Sequence, residues 1–197
     1  VDNNFFNKKK KFKNNKKLTY IFAAKLIKKK GANILLEAIN ILNHNKKFYY
    51  NSEFLIIGDG YMKYSLHNYA TINNLKNVKF IPFQNQKKLS KFYQKSDVFI
   101  IPSLFEPWGL TVNEAMAAEN AIISSSAVAS AYDLISNNVN GYSFKNGDSK
   151  DLANKILKIF KNRKRIKKYQ SNSLKIISKW NFNQCFLGIQ KAINKCR

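Results

Sequence analysis

Short runs of branched and aromatic residues recur along this chain and alternate with stretches in which apolar positions follow a helical period. Runs that are apolar at successive positions are typical of strands buried on both faces, and the periodic stretches between them predict helices. The predicted strands are residues 18–24, 54–57, 78–81, 98–102, 121–124 and 141–144. The predicted helices are residues 32–42, a segment around 64–69, 88–95, a helix from 110, a helical tail from 151 and a last helix at 180–196.

This alternation predicts an α/β fold with a single Rossmann-like domain. Its parallel sheet of about six strands is expected to be covered by helices on both faces and joined by right-handed crossovers. A chain of 197 residues can bury one sizeable core, and no linker divides it, so residues 1–197 are interpreted as one domain. In the helix 32–42 the predicted inward face is Ile34, Leu35, Ala38, Ile41 and Leu42.

Composition changes this picture mainly through charge. The formal net charge is +24 at pH 7, while 45% hydrophobic residues are typical of a globular protein. We assign about half of the excess charge to nucleotide bias in the coding sequence, and the rest to a preference for anionic partners. No apolar run approaches the ~20 residues of a membrane helix. Cys185 and Cys196 lack metal-ligand spacing, so we expect reduced thiols in a cytoplasmic protein.

The most informative chemistry lies where the fourth predicted strand meets the next helix. Glu106 follows that strand, Glu114 lies about one turn inside the helix, and Gly109 between them can adopt a positive φ. The helix N-terminus between the carboxylates offers unpaired N–H groups and a positive dipole end, which suit a phosphate. Two carboxylates nearby can hold the hydroxyls of a sugar and of a ribose. The segment therefore predicts a site for a nucleotide-sugar.

Plainer interpretations compete with this one. Either glutamate alone could be an ordinary turn or helix acid, and 35 basic residues make any lysine spacing unremarkable. The tyrosine at position 93 is interpreted as part of the core of its helix. The basic run 161–168 is typical of a solvated face, or of contact with an anionic membrane surface. Nucleic-acid binding is disfavoured, because no recognition motif accompanies the charge.

Several motifs, in order, resemble the C-terminal, donor-binding domain of a retaining family-4 glycosyltransferase of the GT-B fold. They are residues 1–6, 24–31, 55–60, 96–116, 128–135 and 140–141, so the resemblance covers nearly the whole chain. The segment with the two glutamates is its most specific part. In that family a second, N-terminal domain binds the acceptor. It is absent from this chain, so we expect it to be supplied in cis or in trans.

The resemblance implies residue roles. Glu106 would hold the donor sugar, and Lys25 and Lys30 would neutralise the diphosphate; these three are the catalytic candidates. The donor-binding candidates are Gly58, Gly60, Pro82, Phe83, Pro107, Trp108, Gly109, Leu110 and Glu114, with Glu114 on the ribose. No metal and no cofactor are implied, because the nucleotide-diphosphate sugar is the donor substrate.

The expected function is retaining hexosyl transfer from such a donor to a glycan or lipid-linked acceptor, in cell-envelope polysaccharide synthesis. The expected location is the cytoplasm, peripheral on the inner face of the cell membrane, and the isolated chain is expected to be incomplete for catalysis. Lys25 in place of arginine, and Ala24 and Pro82 in place of glycines, favour an alternative, a non-catalytic half-enzyme that binds a nucleotide-sugar or a partner. A basic nucleic-acid-binding protein is the third possibility.

Overall fold

A computed structural model describes residues 1–7 and 17–195 of the chain. Six parallel strands form one sheet in the order β3-β2-β1-β4-β5-β6. The strands are β1 Leu18–Ala23, β2 Ser52–Ile57, β3 Val78–Ile81, β4 Val98–Ile101, β5 Ala121–Ser125 and β6 Gly141–Phe144. The predicted fold class is confirmed, with strand bounds that differ from the prediction by two residues or fewer.

Helices cover both faces of the sheet. The helices are α1 Asn3–Phe6, α2 Ala32–Asn43, α3 Lys46–Tyr50, α4 Lys63–Ile72, α5 Gln86–Lys95, α6 Leu110–Ala117, α7 Ser130–Leu134, α8 Ser149–Lys161, α9 Ile166–Ile177 and α10 Phe182–Lys195. The last of them, α10, has no buried residue. Within the described residues, no helix combines the length and the apolar character needed to cross a membrane. Cys185 is an exposed free thiol, whereas Cys196 lies outside the described residues.

The core has two parts, one on each face of the sheet, because every strand alternates its side chains between the two faces. On one face, Tyr20 of β1 stacks on Phe54 of β2 with ring centroids 4.6 Å apart, under α2 and α8. On the other, Ile21 and Phe99 pack under α5 and α6. One inward position was predicted wrongly: Ile41 is 43% exposed, because it lies beyond the edge of the buried arc of α2.

Strand order places the site. β1 pairs with β2 on one side and with β4 on the other, so the chain direction across the sheet reverses at β1. In parallel sheets, loops leaving two such neighbouring strands diverge and open a crevice at the carboxyl ends. The loops after β1 and β4 therefore carry the candidate site.

Candidate functional site

A cleft of about 540 Å³ opens between the loops that follow β1 and β4. The backbone N–H of Leu104 donates to the carbonyl of Lys29 at 2.8 Å, which ties the two loops together beside it. Its walls are mostly apolar, with two basic side chains and one acidic side chain. The lining residues are Phe22, Ala23, Ala24, Lys25, Lys30, Phe99, Ile100, Ile101, Ser103, Glu106, Pro107, Trp108, Gly109, Leu110 and Thr111.

Lys30 and Glu106 form an ion pair in this cleft. Lys30 ends a single 3-10 turn, and Gly31 follows at φ +71°, where a Cβ atom would lie 2.0 Å from the carbonyl oxygen of Pro102. That close approach requires glycine and brings the lysine beside the end of β4. Glu106 is held by its backbone, whose N–H donates to Ala127 at 3.1 Å and whose carbonyl accepts from Ala129 at 3.1 Å. The two side chains are only 21% and 14% exposed, so opposite charges meet in a largely desolvated place.

The N-terminus of α6 adjoins this ion pair. Gly109 precedes the helix at φ +88°, and a Cβ atom there would lie 3.2 Å from Cγ of Glu106 and 3.2 Å from Cγ1 of Val128. Glycine has no side chain to cap the helix, and the first turn contains no acidic residue. The N–H groups and the positive dipole end at the start of α6 are therefore available to a hydrogen-bond acceptor outside the helix.

Glu114 lies in a different environment from Glu106. It is one turn further along α6 and does not line the cleft. Its Oε2 accepts a hydrogen bond from the hydroxyl of Tyr93 on α5 at 3.3 Å. Burial raises the pKa of the Glu114 carboxyl, and hydrogen bonds from Gln86 and Tyr93 oppose that rise. Its partners on α5 are therefore neutral donors instead of a cation.

The structure brings some of the predicted site residues together and leaves others apart. Seven line the cleft: Lys25, Lys30, Glu106, Pro107, Trp108, Gly109 and Leu110. Five do not: Gly58, Gly60, Pro82, Phe83 and Glu114. Gly58 and Gly60 lie in the loop after β2, which contacts the loop after β1 through the N–H of Leu26 and the carbonyl of Asp59 at 2.8 Å. Pro82 and Phe83 follow β3 and are exposed.

Two polar neighbours of Glu114, Tyr93 and Gln86, were missed from the sequence. Tyr93 is fully buried, and a buried tyrosine hydroxyl normally needs a partner, which was the available signal. No group of three or more His, Cys, Asp or Glu side chains in residues 1–7 and 17–195 is placed to hold a metal ion.

Comparison with known proteins agrees with this architecture. The model of the family described as glycosyl transferases group 1 matches residues 3–175. An uncharacterized glycosyltransferase of Methanocaldococcus jannaschii is 24% identical over 172 residues, which are 87% of this chain and 46% of that protein. The amylovoran biosynthesis glycosyltransferase AmsK of Erwinia amylovora is 29% identical over 149 residues, covering 72% of this chain and 36% of AmsK. The chain thus spans less than half the length of these relatives.

Solved structures share the fold. The C-terminal domain of a glycosyl transferase group 1 family protein, LpcC of Francisella tularensis, has a TM-score of 0.79 at 23% identity, covering 92% of this chain and 99% of that one. HepE of Anabaena, in complex with UDP and glucose, has a TM-score of 0.75 at 22% identity, covering 92% of this chain and 48% of HepE. The first of these is a C-terminal domain, and this chain matches it nearly end to end.

Proposed function

This chain belongs to the glycosyl transferases group 1 family, and from that premise we propose that it binds the donor of a hexosyl transfer reaction. The donor is a nucleotide-diphosphate sugar, and the transfer retains the configuration of the sugar. The observation that carries the proposal is the ion pair of Lys30 and Glu106, in a cleft beside a helix N-terminus that has no side-chain cap.

A donor can exchange partners with this ion pair. The ammonium group of Lys30 turns from Glu106 to the diphosphate, and the carboxylate of Glu106 then accepts hydrogen bonds from sugar hydroxyls. A charge that is largely desolvated costs several kcal/mol, roughly 3–5, if it loses its partner without replacement. The exchange replaces both partners at once, so neither charge is left alone. Lys25, exposed on the same loop, adds a second cation for the diphosphate.

Catalysis in this proposal is electrostatic. The leaving group is a nucleoside diphosphate, whose negative charge grows as its bond to the sugar breaks. Lys25 and Lys30 face that charge, and the N–H groups at the start of α6, near Gly109 and Leu110, add the positive end of the helix dipole. No protein nucleophile is required by this arrangement.

The nucleoside extends from the cleft toward α5. Glu114 binds the ribose, and the exposed loop with Pro82 and Phe83 borders the base, while the loop with Gly58 and Gly60 borders the donor. The binding of a nucleotide and a sugar is supported by the shared fold of HepE, whose complex contains UDP and glucose. Ribose hydroxyls are good donors to a carboxylate, which fits the acceptor character of Glu114.

The acceptor is a glycan or a lipid-linked glycan of cell-envelope polysaccharide synthesis, a proposal supported by the similarity to AmsK. We propose that a further domain, in cis or in trans, contributes the acceptor site, because the matched segments cover only 46% and 36% of these relatives. The protein would work in the cytoplasm at the inner face of the membrane. Its net charge of +24 and the basic run 161–168 favour an anionic surface.

Calorimetry tests the donor proposal. UDP-, GDP- and ADP-glucose are titrated into the wild type and Glu114→Ala, with single-stranded DNA as the competing ligand. We expect one nucleotide-sugar to bind the wild type, and to bind Glu114→Ala about tenfold more weakly. If the wild type binds none of the three nucleotide-sugars and binds DNA tightly, the nucleic-acid-binding alternative is favoured.

A transfer assay tests the need for a further domain. We expect residues 1–197 to bind the donor weakly and to transfer no sugar to an added acceptor. Transfer by the purified chain would show that these residues suffice. A donor that binds but is never transferred, even when a matching acceptor domain is added, would support the non-catalytic half-enzyme.

A further inference from the structure

Helix α5 carries a fully buried tyrosine whose hydroxyl is directed at α6. The ring of Tyr93 lies against Phe6 and Phe99, with centroids 6.2 and 5.7 Å away, and is 0% exposed. A buried hydroxyl without a partner would be costly, so its direction is determined by where a partner lies. That partner is Oε2 of Glu114, at 3.3 Å.

A buried amide fixes the distance between the two helices at this point. Asn120, itself 0% exposed, donates from Nδ2 to the carbonyl of Tyr93 at 3.0 Å and to the carbonyl of Ala115 at 3.0 Å. It therefore joins the backbone of Tyr93 to the residue that follows Glu114. Because both backbones are held, the hydroxyl and the carboxylate meet in one defined geometry.

We propose that Tyr93 is a positioning residue, which holds the Glu114 carboxylate in a fixed orientation for the hydroxyls of the donor nucleoside without touching the donor. The hydrogen bond between Tyr93 and Glu114 is observed in the structure. The binding of the donor nucleoside by Glu114 rests on the proposed function. The hydrogen bonds from Tyr93 and Gln86 use part of the acceptor capacity of the carboxylate and leave the rest for ribose hydroxyls.

The electrostatics give this role a measurable signature. The side chains that act on Glu114 are Tyr93 and Gln86, both on α5. Burial raises the pKa of Glu114, and the hydrogen bond from Tyr93 opposes that rise. Burial, and then the charge of Glu114, raise the pKa of Tyr93, so the phenol remains a donor. Loss of the hydroxyl should therefore raise the pKa of Glu114 further.

The test compares Tyr93→Phe with Tyr169→Phe. Tyr169 is also fully buried, and its hydroxyl donates to Oδ1 of Asn138 at 2.8 Å and lies 3.2 Å from the hydroxyl of Tyr142, so this control loses a buried, hydrogen-bonded phenol hydroxyl away from the site. Two quantities are measured: the titration of the Glu114 carboxyl by carbon NMR in the ligand-free protein, and the Kd for UDP at several pH values.

For Tyr93→Phe we expect the Glu114 titration to move to higher pH, and the Kd for UDP to rise about three- to tenfold. The loss of UDP affinity at acid pH should move to higher pH together with the titration of Glu114. Tyr169→Phe should change neither quantity, even where it lowers the melting temperature.

The outcomes separate this inference from the proposed function. If the wild type binds UDP and Tyr93→Phe changes neither the Kd nor the Glu114 titration, Tyr93 is a core residue and the positioning role is overturned alone. If the wild type binds no UDP, the role toward a donor is overturned together with UDP binding. A shift of the Glu114 titration with a raised Kd for UDP supports both.

Discussion

Glu106 forms an ion pair with a lysine in an open cleft, whereas Glu114, later in the same segment, accepts a hydrogen bond from a neutral phenol between two helices. A carboxylate paired with a lysine can exchange that partner for a ligand hydroxyl while the lysine moves to an incoming phosphate. A carboxylate held by neutral donors in a partly buried place is aimed more tightly, but burial raises its pKa. Under the proposed function, Glu106 would exchange partners and Glu114 would keep a fixed direction.

The largest effect is expected for Lys30→Met, which removes the ammonium group that would move from Glu106 to the diphosphate. The affinity for UDP should fall about ten- to hundredfold, because the diphosphate loses a positively charged hydrogen-bond donor. Lys29→Met is the matched control, since Lys29 is exposed in the same turn and does not line the cleft. Calorimetry measures both. Equal losses in the two variants would mean that net charge, and not the ion pair, attracts the nucleotide.

Glutamine substitutions should separate the two carboxylates by ligand. Glu106→Gln removes the competitor for Lys30, so UDP should bind as well as before or better, while UDP-glucose should bind about tenfold more weakly. Glu114→Gln should weaken UDP and UDP-glucose by the same factor, about three- to tenfold, because the ribose is common to both. Both Kd values are measured for each variant. The reverse pattern would exchange the roles of the two glutamates.

Stability should also distinguish the two carboxylates. A carboxyl with a raised folded pKa contributes stability below its unfolded pKa and loses it as the pH rises through the folded value. Relative to the wild type, Glu114→Gln should therefore become more stable as the pH rises from acid to neutral. Glu106→Gln should lose about 1–2 kcal/mol at neutral pH, because Lys30 keeps only a neutral amide oxygen as its acceptor.

Urea unfolding of the three proteins at several pH values measures these differences. Glu119→Gln serves as a control for loss of a negative charge just beyond the C-terminus of α6. A Glu114→Gln curve parallel to that of the wild type at every pH would show that burial does not control this carboxyl.

The sequence was sufficient for the sheet, because apolar runs fix where strands lie. It also placed Glu106 and the helix N-terminus at the end of β4, but Lys30 was named only through the family resemblance, since 35 basic residues make any lysine spacing unremarkable. The environment of Glu114 was not predictable in this way. It depends on how α5 packs on α6, which puts Tyr93 beside a carboxylate far away in the sequence. Ile41 shows the same limit, since the edge of a buried arc is decided by the neighbouring helix.

The smallest effect is expected at Trp180, which contacts Trp108 in the segment between the two glutamates. Its ring centroid is 5.7 Å from that of Trp108, and it is 42% exposed. Trp108 has other restraints: its Nε1 donates to Asn113 at 3.1 Å, and its carbonyl accepts from the N–H of Ser130 at 3.1 Å. Trp180→Ala should therefore change the Kd for UDP and UDP-glucose by less than about twofold.

The matched control is Phe186→Ala in α10, where none of the residues is buried, so its effect on unfolding should stay within about 0.5 kcal/mol. Calorimetry and urea unfolding compare the two variants. A marked loss of UDP-glucose binding in Trp180→Ala alone would mean that the segment before α10 helps to shape the Glu106 side of the site. In that case the difference between the two glutamates would depend also on the contact between Trp180 and Trp108, and not only on the loops and helices that carry the glutamates.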